Sequence, residues 1–291
     1  MAKEKKNSSM RTRRIIADTV THIVLAVLAF IWVIPIVWII LLSFSTQKGS
    51  YVTSFFPKGY TLKNYVKLFT DIQVLNFPQM FKNTFIIACF VCVISTFFVL
   101  SAAYCYSRLR FKMRKPLMNV SMILGLFPGF MSMVAVYYIL KAVGLSEGSM
   151  IRVALILVYS GGAAIQFTIA KGFFDTVPKS LDEAAYLDGA TKFQVFTKVT
   201  VPLSKPIIVY TVLTSFLSPW LDFIFAKVIC RANAEYYTVS VGLWKMLEKE
   251  YIDNWYTSFA AGAVCISIPI AILFVIMQKY YTDGLSGAVK G

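Results

Sequence analysis

The chain has 291 residues, of which 58% are hydrophobic and 15% charged, with a formal net charge of +15. Soluble domains carry roughly 25% charged residues, so this composition excludes an ordinary soluble globular protein and points to a single lipid-embedded domain. The positive excess sits beside apolar runs, in Lys3, Lys5, Lys6, Arg11, Arg13 and Arg14 and again in Arg108, Arg110, Lys112, Arg114 and Lys115; topology-setting charges lie in such places, and their position speaks against nucleic acid as a partner.

A helix crossing a bilayer needs about 20 mostly apolar residues. Six stretches meet that need, at 20–44, 84–106, 117–140, 153–170, 206–226 and 259–278. The first is too long for the apolar region of a cleaved signal, which runs to about 7–15 residues, and is expected to stay as a span with a kink at Pro35. Dense basic clusters in short segments remain in the cytoplasm. That places residues 1–19, 108–115, 171–205 and 282–291 inside, and 45–83 outside despite Lys48, Lys58, Lys63, Lys67 and Lys82. The expected architecture is all-α and polytopic: a basic tail at 1–19, a six-helix membrane domain at 20–281 and a cytoplasmic tail at 282–291.

The interiors of the runs hold almost no ionisable side chains. His22 stands near one end of the first, Asp222 near the outer end of the fifth, and Lys227 just beyond it. Ion-coupled carriers place such groups at membrane depth, so their scarcity argues against ion coupling. Five cysteines, Cys89, Cys92, Cys105, Cys230 and Cys265, lie mostly in apolar runs and read as small hydrophobes rather than a disulfide framework. Cys89 and Cys92 have C-x-x-C spacing but lack the second ligand pair of a zinc site. With one histidine in the chain, no Ser/His/Asp or Cys/His set can assemble. No G-x-x-x-x-G-K-[ST] loop occurs either, so the chain is not its own ATPase by the usual route. The expectation is a non-catalytic chain without cofactor or metal of its own.

The most informative stretch is 175–206, DTVPKSLDEAAYLDGATKFQVFTKVTVPLSKP. Pro178 and Ser180 can open a helix, with Asp182 and Glu183 at the positive end of its dipole. Leu181, Ala184, Ala185 and Asp188 recur at steps of three and four along one face. Gly189 allows a turn that other residues resist, and a second short helix follows over 191–199, ended by Pro202 and Pro206. The residues alone allow two readings: a knob of two short helices, or an amphipathic loop lying on the membrane surface.

Glu183, Ala184, Ala185, then Asp188, Gly189, Ala190, then Phe196 and Pro202 resemble the EAA loop of permeases in binding-protein-dependent ABC importers. The likeness extends over nearly the whole chain. It is closest to the smaller permease subunit of maltose-type systems, to which 104–111, Phe127 and Pro128, 134–144 and 171–176 are similar. The resemblance implies that Glu183 to Gly189 dock on a cytoplasmic ATPase, and that two copies of that ATP-binding subunit bind ATP and Mg. It further implies a homologous second permease subunit, an extracytoplasmic solute-binding protein and an oligosaccharide substrate, with malto-oligosaccharides favoured and galacto-oligosaccharides or raffinose-type sugars as alternatives. Gly284, Leu285, Ser286, Gly287 and Lys290 are similar to a tail that reaches between the ATPases, and a frayed terminus is the other reading. The external segment 236–256 is similar to a loop that reaches into the binding protein, with Tyr237, Trp244 and Trp255 as its contacts. Aromatic rings also anchor helices at the interface, and the tip at 245–250 departs from the family pattern.

Overall fold

The computed structural model describes residues 2–47, 49, 54–126, 129–162 and 164–288, with the backbone alone for 2–11, 130, 164–165 and 281–288. Among these residues the chain is helical without strands, apart from one isolated bridge between Ser45 and Tyr60. The helices are α1 (Ala2–Ser43), α2 (Lys63–Thr70), α3 (Phe77–Arg108), α4 (Arg114–Leu126), α5 (Gly129–Ala142), α6 (Met150–Gly161) and α7 (Ala164–Thr176). There follow α8 (Lys179–Leu187), α9 (Lys192–Val195), α10 (Val201–Leu203), α11 (Lys205–Leu221), α12 (Ile224–Cys230), α13 (Val239–Met246) and α14 (Ile252–Ala288).

Three helices are long and apolar enough to cross a membrane, and up to six spans result if each bent pair counts as one. The long three lie in α1, α3 and α14. The expected third and fourth spans correspond to the pairs α4 with α5 and α6 with α7, and Phe127, Pro128 and Ala163 lie outside the described residues. The fifth differs from the sequence reading only at its end. It begins after an 85° bend between the 192–203 segment and α11, and it ends at Asp222, whose extended backbone (ψ 124°) stops the helix before 226. Proline has no N–H to donate and crowds the preceding turn, so Pro202 and Pro206 account for the wide π-turn at Phe196–Thr200 and the fresh start at Lys205. Pro35, by contrast, sits inside α1 without ending it.

The centre of the fold is α3, which packs on α11, α7, α6 and α13. Its inner face buries Met80, Thr84, Ile87, Val91, Ser95, Val99 and Ala103, residues that recur at helical steps of three and four. At 32 residues and about 1.5 Å each, α3 is roughly 48 Å long, more than the hydrocarbon thickness. α1 packs on α14 alone among the stronger contacts, and its membrane-length window is 0% buried. Phe30, Ile31 and Trp32 stand on the outside, as lipid-facing residues must.

The second turn of α3 carries a polar knot. Asn83, fully buried, donates from Nδ2 to the carbonyls of Glu235 (2.7 Å) and Tyr237 (3.1 Å) and accepts from Arg152 Nε (2.9 Å). The neighbouring Thr84 hydroxyl accepts from the Val239 amide at 2.9 Å. Three elements distant in sequence thus meet at one end of α3. Replacing Asn83 by Leu leaves two carbonyls unpaired in the core, at a cost of about 2–4 kcal/mol. We expect a lowered thermal midpoint in detergent, read by tryptophan fluorescence, with helix content retained.

Candidate functional site

The opposite end of α3 holds the 175–206 loop. Pro178 precedes α8 in an extended conformation and Asp182 lies in its first turn. Gly189 has φ of +83°, the left-handed region in which a side chain is strained. Its N–H reaches the Tyr186 carbonyl at 3.0 Å, and that of Ala190 reaches Ala185 at 2.9 Å, closing the end of α8 as left-handed caps do. The second helix starts at Thr191, whose hydroxyl accepts from the Gln194 amide (3.3 Å) while Gln194 Oε1 accepts from the Thr191 amide (2.8 Å), a capping box. The two short helices and their turn therefore form as the spacing of Pro178, Gly189 and Thr191 suggests.

A buried guanidinium fixes this loop. Arg108, the last residue of α3, places Nε 3.1 Å from Asp182 Oδ2, with only 3% and 8% of the two side chains exposed. Its Nη2 donates to the carbonyls of Phe174 (2.9 Å) and Val177 (2.8 Å) at the end of α7, where helical partners run out; the Phe174 carbonyl also accepts from the Val177 amide at 3.2 Å. Ser107 Oγ donates to Asp175 Oδ1 at 2.6 Å, and Lys171 Nζ reaches Asp175 Oδ2 at 2.6 Å. Burial alone would push the Asp175 carboxyl up, but the bonds from Lys171 and Ser107 outweigh it and hold the group below the ordinary carboxylate range. For Asp182 burial prevails: its carboxyl is raised, with Arg108 opposing the rise and Glu183 adding to it. Phe196 rests against the Tyr104 ring (centroids 4.8 Å apart), and the Tyr104 hydroxyl donates to the Lys192 carbonyl at 3.2 Å.

The outer face of the knob is open. Glu183, Ala184, Asp188, Gly189 and Pro202 are exposed, while Ala185, Ala190 and Phe196 are half-buried. Leu187 is 90% exposed and Phe193 72%. Leu187 lies within the stretch Glu183 to Gly189 that the resemblance assigned to docking, whereas Phe193 was not singled out, although large apolar side chains flanking a polar turn are a signal that sequence carries.

At the other end of α3, the three aromatics singled out in 236–256 separate. Tyr237 is buried, with its hydroxyl donating to the Arg231 carbonyl at 2.9 Å. Trp255 is buried beneath Lys67, whose ammonium stands 4.3 Å from the ring centroid. Trp244 alone of the three is exposed, beside Phe223 at 4.8 Å. The backbone of Gly284, Leu285, Ser286 and Gly287 continues α14, and Lys290 lies outside the described residues.

The family model for the binding-protein-dependent transport system inner membrane component matches residues 95–286. The chain belongs to that family. It is a multi-pass membrane protein and a transport component. It is similar to the galactooligosaccharides transport system permease protein GanQ of Bacillus subtilis (strain 168), with 34% identity over 98% of this chain and 99% of that one. The maltodextrin transport system permease protein MdxG of the same organism is 30% identical over 96% and 99%. Among solved structures, a bacterial ABC transporter involved in the import of the acidic polysaccharide alginate superposes with a TM-score of 0.73 over 91% of this chain and 96% of that one, at 24% identity, so this permease shares its fold.

Removing one partner of a buried ion pair costs about 3–5 kcal/mol. Arg108→Ala should therefore destabilise the family member by that order and loosen 175–206 to proteolysis. Because the Asp182 carboxyl is raised in the folded state, its protonated form favours folding. The loss should shrink as the pH falls from neutrality towards the ordinary carboxylate range and be fullest above the raised value. Thermal unfolding of the variant in nanodiscs at neutral and acidic pH measures both.

Proposed function

We propose that this permease is one half of the membrane path of an ATP-driven oligosaccharide importer, and that 175–206 is its coupling loop. The similarity to sugar permeases along nearly the full chain, 34% over 98%, carries the reading. In it, two cytoplasmic ATP-binding subunits hold ATP and Mg, a homologous second permease completes the path, and an extracytoplasmic binding protein delivers the sugar. The basic segments 1–19 and 108–115 and the coupling loop then face the cytoplasm, with six spans between them and the outside.

The geometry suits a mechanical coupling. Glu183 to Gly189, with Leu187 and Phe193, form the exposed contact with an ATPase cleft. When the ATPases close, α8 is displaced, and Arg108 passes that displacement to α3 and α7 because its guanidinium holds all three. Packed helices move as rigid bodies, so the far end of α3, with the knot at Asn83 and the loop bearing Trp244, moves with it. Gly284, Leu285, Ser286, Gly287 and Lys290 form a second ATPase contact in this reading. Trp244 is the aromatic available to the binding protein, whereas Tyr237 and Trp255 support its loop from within.

Malto-oligosaccharides and galacto-oligosaccharides are the two substrate classes, the second favoured by the similarity at 34% identity and the first by that at 30%. Sugar-stimulated ATP hydrolysis by the assembled complex in lipid, across malto-, galacto- and raffinose-type oligosaccharides, separates them. Stimulation by one class names the substrate, and none by any sugar rejects the oligosaccharide reading. Leu187→Glu or Glu183→Lys should abolish co-purification of the ATPase while the permease still inserts; retention of the ATPase in both variants would reject the docking role of the loop.

A further inference from the structure

A cavity of about 600 Å³ opens among α3, α5, α6, α7, α11 and α12, within the range of about 300–1,000 Å³ of small-molecule sites. Its polar groups come from helices that are otherwise apolar. Ser95, near the middle of α3, is 2% exposed, and its hydroxyl has no hydrogen-bond partner. Ser215, near the middle of α11 and equally buried, donates to Gln166 Oε1 at 3.3 Å. Tyr159 and Asp222 line the same space, with the tyrosine hydroxyl donating to Asp222 Oδ2 at 2.7 Å.

Asp222 is held in place by the chain itself. Its Oδ2 also accepts from the Ala226 amide at 3.0 Å, and Oδ1 accepts a long bond of 3.4 Å from Phe225. A carboxylate so fixed retains acceptor capacity on Oδ1. Phe225 adds an aromatic wall to the cavity. A metal ion would need several such ligands, and no group of three or more His, Cys, Asp or Glu gathers among the described residues. The set instead combines hydroxyls that both donate and accept, one amide, one fixed acceptor and one ring, which suits a neutral polyhydroxylated ligand: hydroxyls of a pyranose pair with the polar groups, and its C–H face lies on the ring. A buried hydroxyl left unpaired is costly, and a ligand hydroxyl beside Ser95 would satisfy it.

We infer that this cavity is a sugar subsite on the translocation path, in which Ser95, Ser215, Gln166 and Asp222 hold one ring of the passing oligosaccharide. The inference rests on the oligosaccharide importer reading above. It makes this subunit a determinant of sugar choice rather than only a moving half of the path.

The test uses the assembled complex in nanodiscs without the binding protein, with equilibrium binding of radiolabelled maltotriose and of a β-linked galactotriose. The wild-type complex should retain one of the two. The Ser95→Ala/Ser215→Ala double variant should bind it about tenfold more weakly, since each lost hydrogen bond is worth a few-fold, with an unchanged melting temperature. Ser95→Thr, which keeps the hydroxyl, should stay much closer to wild type than Ser95→Ala. Binding within twofold of wild type in the double variant overturns the subsite, as does an equal loss in Ser95→Thr and Ser95→Ala, which would make space rather than the hydroxyl decisive. Failure of every malto-, galacto- and raffinose-type sugar to stimulate ATP hydrolysis in the wild-type complex with its binding protein overturns the oligosaccharide reading itself, and the subsite with it.

Discussion

The guanidinium of Arg108 is the constraint on which the 175–206 end of this fold depends. A buried charge is tolerated only when it is paired and hydrogen-bonded, and here one planar group meets a carboxylate and two carbonyls at once. The carbonyls belong to the end of α7 and the carboxylate to the start of α8, so Arg108 closes the corner between them and fastens it to α3. A lysine could not do the same, because its single ammonium lacks the flat fork that reaches several acceptors. The second pair, Lys171 with Asp175, lies one layer outward and is more exposed on the acidic side. It trims the corner without defining it.

The two ends of α3 perform different tasks through different chemistry. At the Arg108 end the contacts are charged, and they involve a segment whose own outer face is open. At the Asn83 end the bonds that hold the 235–239 stretch are neutral, from its main chain to the Asn83 amide and the Thr84 hydroxyl. Neutral bonds to backbone carbonyls hold a loop without depending on pH, and Arg152 completes the amide's acceptor side while its guanidinium stands 5.1 Å from the Tyr236 ring. A helix of roughly 48 Å is thus gripped at each end, and the buried stripe from Met80 to Ala103 packs it against its neighbours along its length.

How much of this was legible in the sequence depends on how local each cause is. The knob could be read because its causes lie within a few residues of their effects: Pro178 opens a helix, Gly189 takes a positive φ, and Thr191 with Gln194 closes a capping box. The apolar runs could be read because lipid demands length. The end of the fifth could not, since hydropathy averages over Asp222, which ends its run by capping the next helix. Arg108 was read only as one positive charge among five, because its partner Asp182 is far along the chain and reaches it only after α7 has folded back. Tyr237 and Trp255 were placed on a surface for the same reason. An amphipathic ring at the end of a span fits water, lipid or core equally well, and only tertiary packing decides.

The exposed apolar residues show how position settles what covers them. On α1 and along the outer faces of α3 and α14, residues such as Trp32, Phe97 and Phe274 are exposed within long runs free of charge, where lipid is the natural cover. Leu187 and Phe193 are more exposed than most of these, yet they stand among Glu183, Asp188, Lys192 and Lys198, all exposed as well. A bilayer cannot cover the first pair without burying the charges around it, which hydrocarbon strongly disfavours. A protein surface can, because a cleft receives an apolar side chain while its polar rim pairs with the charges. The same argument separates the Ser95 cavity from the lipid face: its hydroxyls lie inside the helix bundle, and only a polar occupant of the path can reach them.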